Sequence, residues 1–577
     1  MERGPLVTRK NTPFDLRQKL LTRYGQMDSD RQLFRPHWTE LQQYILPDNG
    51  VALQGQQNEW EQIYGGKTFT KIIDGSATRY VDIFAAGMQS GLTSPSRPWF
   101  KLGLQDADLA AFQPVRAWLD ECERRMYAVM DASNFYASLH HIYKELPVFG
   151  TAAQIILEDF ENVIRCRPFT IGEFWLALDA SLRVDTLYRH GWYHAHQLED
   201  QFGKANLSQA ALNALAGNNV KAMFQVIQAI EPDPEYVDRR DISKKAYRSV
   251  YFELGGESDK ILRQRGYDEF PCQAPRWNIV GSKVWGRGRG MEALGDVKML
   301  QRFVEAQLVN YDKAMEPPVV APPGLKGEQI NTIPNGITYV DDMGGNNAMR
   351  SLYNVPNMIE SAETKIQAIK SDLKEWFFTN LFMMLANQPT RSGVTATEIA
   401  ERHEEKLQVL GPVLERVHGE LLDPAIVRIF AIMSRVGALP PPPPIPELRG
   451  QSIKIEYTST LAVAAKMSGL TAIDQFIGRI GAAAQIRPEV LDNVNFDAYV
   501  QVYADDIAVP AKLLNTPEQI AKIRAARAQQ QQQQQQAAMM ASAAQTAKTA
   551  SQADMSGNNA LAQVMGRVLP QQVPAAS

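Results

Sequence analysis

The sequence predicts an α+β chain, rich in helix and divided into several regions, and three observations carry that expectation. At 577 residues the chain exceeds what one hydrophobic core serves, so three or four regions are expected. Hydrophobic residues at 45% and charged residues at 21% are globular values, which exclude a wholly disordered chain. Apolar residues recur at helical steps over long stretches, whereas residues 149–185 alternate apolar and polar with aromatic and β-branched types.

Residues 14–46 read as helix, with Leu16, Leu20, Tyr24, Trp38 and Leu41 at three- and four-residue steps and Pro47 stopping the run. Helices are also expected over 77–92 and 115–130. Sheet follows in TAAQIILEDF and CRPFTIGEFWLALD, then helix over 206–230, then strands over 246–254 and 275–284. The first 290 residues are thus a mixed α+β region, closed by the GRGRG turn at 286–290, which reads as a flexible delivery into the next helix.

Beyond that turn, Val297, Leu300, Val304, Leu308 and Tyr311 form one helical stripe that ends at Pro317 and Pro318. Two short extended pieces, 319–322 and 336–342, lie in a Gly/Pro/Asn-rich setting. A returning helix carries Ile366, Ile369, Leu373, Trp376 and Leu381. These side chains are too apolar to leave in water, and they are expected to pack against neighbouring helices of the same kind. The loop ANQPTRSGV follows. Thr395 and Glu398 then stand at capping-box spacing. Ile399, His403, Leu407, Leu410, Leu414, Val417 and Leu421 continue as a long helix that Pro412 and Pro424 should kink. A proline run over 440–444 reads as a stiff spacer, IKIEY at 453–457 as a strand, and 461–514 as a smaller helical region. The Ala/Gln-rich tail, 515–577, has eight consecutive glutamines and too few large apolar residues for a core of its own. Alone it would be disordered or a frayed helix, while several copies side by side could bundle.

The chemistry-bearing patterns are weak. A net charge of −4 argues against gripping nucleic acid through bulk positive charge. Three dispersed cysteines form neither a disulfide scaffold nor a zinc module, and with no signal peptide or membrane span legible the expectation is a soluble protein made inside the cell. GGKT at 65–68 lacks the first glycine of a phosphate loop, because Glu61 stands there. His190, His194 and His196 lie close together, but the segment suits a strand and offers no third strong ligand. The arginines of GRGRG resemble a nucleic-acid segment in a single copy only. No catalytic residue, metal or cofactor is expected.

Six stretches, in order, carry a resemblance: DGSATRYVDIFAAGMQSGLTSPSRPWFKL at 74–102, LPVFGTAAQIILED at 146–159, GRGRGMEALGDVKMLQ at 286–301, MEPPVVAP at 315–322, TATEIAERHEEKLQVLGPVLERVHGELLDP at 395–424 and YTSTLAVAAKM at 457–467. The chain resembles the portal, or head-to-tail connector, proteins of short-tailed bacteriophages. That resemblance implies a portal fold: a wing over 12–290 and 395–457, stem helices over 291–316 and 359–385, a clip over 317–358, and a crown over 458–514. The family's tunnel loop would fall on 386–394, with Asn387, Gln388, Pro389, Thr390, Arg391, Ser392 and Gly393 facing a DNA channel. It further implies a homo-dodecameric ring at one capsid vertex, working with the terminase large subunit, a tail adaptor, and the major capsid and scaffolding proteins. Double-stranded DNA would pass without sequence specificity, no membrane is involved, and ATP hydrolysis would belong to the motor. A different virion structural protein, of tail or ejection type, is the competing reading. A nucleic-acid-processing enzyme would need a carboxylate cluster or nucleotide motif.

Overall fold

The computed structural model describes residues 13–47, 71–106, 112–219, 221–234, 245–257, 259–315, 319–320, 350–351, 359–386, 410–448, 453–459, 476–483 and 517–552, with a few single positions between them. The chain divides into two compact units, Met1–Asn493 and Val494–Ser577. The second contains one long helix, Pro517–Gln552, whose 36 residues span about 54 Å. Its glutamine run is thus helical, with the described side chains facing solvent.

The first unit opens with α1 (Pro13–Gln32) and α2 (Arg35–Tyr44). One continuous helix was expected here; instead the chain breaks at Leu33 and Phe34, and Pro36 opens α2. Helix α3 (Ser76–Leu92) buries Ala77, Tyr80, Val81, Phe84, Ala85, Met88 and Leu92, one stripe at steps of three, four and one. Strand β1 (Phe100–Leu104) leads into α4 (Gln113–Ala132) and α5 (Phe135–Phe149). Gly150, at φ +76°, ends α5 in the left-handed conformation.

Two antiparallel sheets follow. Strands β2 (Ala153–Asp159) and β3 (Val163–Phe169) form one with the short β9 (Cys272–Gln273). Strands β4 (Phe174–Leu178), β5 (Val184–His194), β6 (Met223–Pro232), β7 (Tyr247–Glu253) and β8 (Arg263–Tyr267) form the other, paired in chain order. The helix expected over 206–230 is therefore corrected. After the short α6 (Ala195–Phe202), only α7 (Gln209–Ala216) is an α-helix there, and 223–232 is the central strand, buried on both faces. The strand expected over 275–284 is also absent, since only a single bridge, Thr151 to Arg276, pairs there.

Helix α1 lies across the larger sheet and is fastened at three points. Arg17 donates to the carbonyls of Glu253 and Gly256, both at 2.9 Å. Arg23 pairs with the buried Glu231 at 2.7 Å. Arg31 stacks 3.9 Å over the Trp175 ring and donates to the Gly172 carbonyl at 2.6 Å, which covers an edge that would otherwise template foreign strands. The amide of Asn134 serves the outer edge of β3 likewise, donating to the Cys166 carbonyl and accepting its N–H.

After the helix pair described below, the chain returns through a helix over 410–417, a π-turn at His418–Leu422 and a helix at Asp423–Val436. The bend expected at Pro424 is this π-turn. Proline offers no N–H, and the wider turn just ahead of it passes the Asp423 N–H to the His418 carbonyl. The proline run then lies along α4, where Trp118 donates to the Pro440 carbonyl. Strand Ile453–Tyr457 pairs with β1, and Tyr457 is locked between the stacked His418 ring, 3.9 Å away, and a hydrogen bond to Asp423.

Candidate functional site

The feature that stands out from this body is an antiparallel helix pair, α8 (Arg289–Met315) and α9 (Ile359–Trp376). Trp376 Nε1 donates to Asp296 at 2.9 Å near the base, and Gln307 donates to Glu363 at 3.3 Å further out, which sets the register. At the outer end Val319–Val320 pairs with Arg350–Ser351, so the chain leaving α8 and the chain entering α9 meet again. The extended piece expected over 336–342 lies outside the described residues.

The base is set in the body's core. Ile366, Ile369 and Leu373 are at most 4% exposed and Trp376 is half-buried, packed with Val297, Leu300, Phe377, Trp38 and Val81. This corrects the expectation that the stripe faces neighbouring helices of other copies: within one chain α8 and the body already cover it. Gln301 adds a polar clasp. Its Oε1 accepts the N–H groups of Ile73 and Asp74 at 2.7 and 2.8 Å, and its Nε2 donates to the Asp74 carbonyl. The Asp74 carboxylate meets Lys370 at 2.8 Å. Burial alone would raise the pKa of Asp74, but hydrogen bonds from Lys370 and Ser76 outweigh it and hold the group below the usual range.

The GRGRG turn is a close-packed joint rather than a flexible lead-in. Side chains at Gly286, Gly288 or Gly290 would run into the backbone of Pro147–Gly150 at the end of α5. Arg289 places its guanidinium over the Trp376 and Phe378 rings, at 5.8 and 5.5 Å, while pairing with Glu292 at 2.9 Å, and so ties the start of α8 to the end of α9. It is engaged inside the fold, which removes half of the single nucleic-acid motif.

The returning helix also ends sooner than its stripe implied. Phe378 takes φ +52°, and the chain restarts as α10 (Thr379–Ala386). Phe382 on α10 lies where Gly87 leaves no side chain in the way. Helix α10 thus delivers the chain to Asn387, Gln388, Pro389, Thr390, Arg391, Ser392 and Gly393, which lie outside the described residues. So do GGKT, the Thr395–Glu398 capping pair, Ile399, His403 and Leu407. Leu410, Leu414, Val417 and Leu421 are described, and all four are buried.

Elsewhere the candidate chemistry is structural. His190 sits on β5, 5.3 Å from Trp175, and burial together with Arg31 and Arg189 pulls its pKa down to about 4. His194 and His196 stack on each other at 5.6 Å. Among the described residues no three His, Cys, Asp or Glu side chains stand together as a metal site would require. No described helix is long and apolar enough to cross a membrane. Gln301 carries no local signal in the sequence, and Arg289 reads there only as part of GRGRG, because their partners lie 227 and 87 positions away.

Together these features define a large α+β structural body that projects an out-and-back helix pair. The bacteriophage head to tail connecting protein family matches residues 17–514, and the chain belongs to that family. It is 39% identical over 554 residues to a probable portal protein of Bordetella phage BPP-1, covering 95% of this chain and 98% of that one. With the portal protein of Salmonella phage epsilon15 it shares 38% over 513 residues, covering 89% and 91%. Among solved structures, the neck of an empty gene transfer agent particle overlays with a TM-score of 0.34 at 12% identity, covering 72% of this chain and 90% of that one.

Proposed function

We propose that the chain is a portal protein of the virion, twelve copies of which close into a ring at one capsid vertex and pass double-stranded DNA during packaging and ejection. The observation that carries this reading is family membership over residues 17–514, which spans the whole out-and-back helix pair. In this reading α8 and α9 are the stem, 317–358 is the clip that docks the terminase large subunit and then a tail adaptor, and 458–514 is the crown. The body, 12–290 with 395–457, is the wing that meets the major capsid and scaffolding proteins. Hydrolysis of ATP is left to the motor.

The charge on the stem supports a conduit. Helix α8 carries four basic and four acidic side chains, and α9 three and four. A wall that neutralised many phosphates would gain affinity through counterion release and stall a sliding duplex, whereas a balanced wall would not. Native mass measurement and negative-stain images of the purified protein test the assembly. A closed ring of about twelve subunits is the expected result, and a monomer at all concentrations would overturn it.

In this reading 386–394 is the tunnel loop and faces the DNA channel. Arg391 is the only charged residue among Asn387–Gly393, so twelve copies make a sparse girdle of positive charge, screened over about 8 Å at physiological salt. Such a girdle brakes slippage without holding DNA fast. Arg391→Ala should leave ring assembly unchanged while lowering the DNA packaged or retained; normal packaging and retention would remove this role.

A further inference from the structure

The sheet of β2, β3 and β9 carries a strained turn at each end. At one end the hairpin between β2 and β3 turns through Phe160, Glu161 and Asn162. The Phe160 side chain is fully exposed, whereas the next most exposed described phenylalanine, Phe476, stands at 57%. Val163 then takes φ +67°, and across it the Ile164 N–H donates to the Asn162 carbonyl at 2.7 Å. This is the tight three-residue turn of the unfavourable hand, rare for any residue and strained for a β-branched one. Glu158 is held by Arg435 at 2.9 Å, and Asp159 accepts the Asn162 N–H at 3.4 Å, so the tip that presents the ring is stiff.

At the other end the sheet meets the turn between β4 and β5. Arg276, which bridges to Thr151 just beyond β9, donates to the Leu182 carbonyl at 3.0 Å. Leu182 takes φ +62° and is 47% exposed. Its turn is drawn tight by the Asp179 carboxylate, which accepts the N–H groups of Ser181 and Arg183, both at 2.8 Å. Val280, four residues past Arg276, is exposed as well. The exposed charges flanking these two apolar side chains are Arg183 and Lys283, since Arg276 and Glu420 neutralise each other at 2.8 Å and Asp185 accepts from the Thr186 hydroxyl. At the hairpin tip they are Asp159 and Glu161, with Arg165 standing back along β3. Of the four described non-glycine residues with positive φ, two stand at these two turns. Such strain clusters where a contact geometry has to be held.

The two turns are far apart. The strand from Thr151 to Asp159 spans about 26 Å. The helix at Asp423–Val436 runs beside it, with Glu420 bonded at the Arg276 end and Arg435 at the Glu158 end. Phe160 therefore cannot reach Leu182 of its own chain. We infer that Phe160 of one copy seats against Leu182 and Val280 of the next, with Glu161 meeting Arg183 and Lys283. An aromatic anchor set among opposite charges is the make-up of a binding hot spot. Unlike surfaces at opposite ends of one sheet give a head-to-tail contact, which repeats around a ring instead of closing as a dimer. The inference rests on the ring reading and places this contact in the body, away from the helix pair.

Cross-linking tests it, and the native cysteines give a quiet background. Cys122, Cys166 and Cys272 are buried, and burial raises all three thiols, the first two to about 12. Full-length chains carrying Phe160→Cys with Leu182→Cys, and Phe160→Cys with Val280→Cys, would be assembled and treated with a short bismaleimide. The expected result is that at least one pair moves most of the chain into a ladder of covalent multimers running past the dimer on a denaturing gel, while each single variant runs as a monomer. Asp82→Cys with Lys144→Cys, whose parent side chains meet at 2.8 Å inside one chain, controls for reactivity. Rings of normal mass in which neither pair links, with the control closing, would overturn the inference and leave the ring reading standing. A ladder that stops at the dimer would overturn the head-to-tail contact in the same way. A chain that is monomeric by mass and unlinked would overturn both.

Discussion

Leu373→Asp is expected to leave the chain unable to fold, giving insoluble or rapidly proteolysed protein in place of soluble monomers. Leu373 is 0% exposed in a single copy, packed among Ile366, Ile369, Leu300 and Phe377. Emptying such a site costs about 2–5 kcal/mol, before the carboxylate that replaces the leucine is counted. Among the described residues the lysines of α9 near this site are already engaged, Lys370 by Asp74 at 2.8 Å and Lys374 over the Tyr80 ring. Burying an unpaired charge adds several kcal/mol, or forces the group to stay protonated. The sum consumes most of the roughly 5–15 kcal/mol by which a domain is stable. Soluble expression and resistance to limited proteolysis are the measurements. A soluble, protease-resistant monomer would mean that Leu373 serves only contacts between copies, and the assignment of buried and exposed stripes would have to be exchanged.

That exchange shows what the sequence could and could not convey. Periodicity located α8 and α9 and their apolar stripes, because a 3.6-residue repeat needs no knowledge of partners. It did not say what covers them. The stripe with Ile366 and Leu373 was legible as buried, but whether by its own chain or by another depends on contacts to Trp38 and Val81, some 300 residues away.

The same limit explains the errors elsewhere. Residues 223–232 form a strand buried on both faces, so Val226, Ile227, Ala229 and Ile230 give no alternation to separate strand from helix. Helix α5 was passed over for a related reason. Nearly every residue from Leu139 to Phe149 except His140, His141 and Lys144 is buried, which erases the stripe, and Pro147 stands inside it. The break at Phe378 has no local signal at all, since an aromatic residue at φ +52° is held there by its surroundings. The GRGRG turn errs in the opposite direction: its glycines suggest freedom in the sequence, whereas in the fold they are needed for closeness.

Gly288→Ala measures that closeness. A Cβ at Gly288 would stand 2.6 Å from both the Gly150 nitrogen and the Pro147 carbonyl oxygen. Both are backbone atoms, so no side chain can swing aside. Pro147–Gly150 are themselves fixed: the Gly150 N–H is bonded to the Leu146 carbonyl, and its own Cα faces the 286–288 backbone. Overpacking against yielding neighbours costs about 1–3 kcal/mol, and an unyielding pair of backbones puts this substitution at or above the upper end. The strain would be felt at both ends of the joint, by the close of α5 and by the base of the helix pair. Thermal unfolding of the variant should therefore begin several degrees lower than in the parent chain. Gly25→Ala supplies the opposite case: Gly25 lies mid-way along α1 with nothing within 4 Å of its added Cβ, so alanine there should stabilise by about 0.5–1 kcal/mol. Opposite signs for the two substitutions are the expected outcome. An unchanged or raised midpoint for Gly288→Ala would mean that the turn can open without cost, and that the helix pair is hinged on the body rather than seated in it.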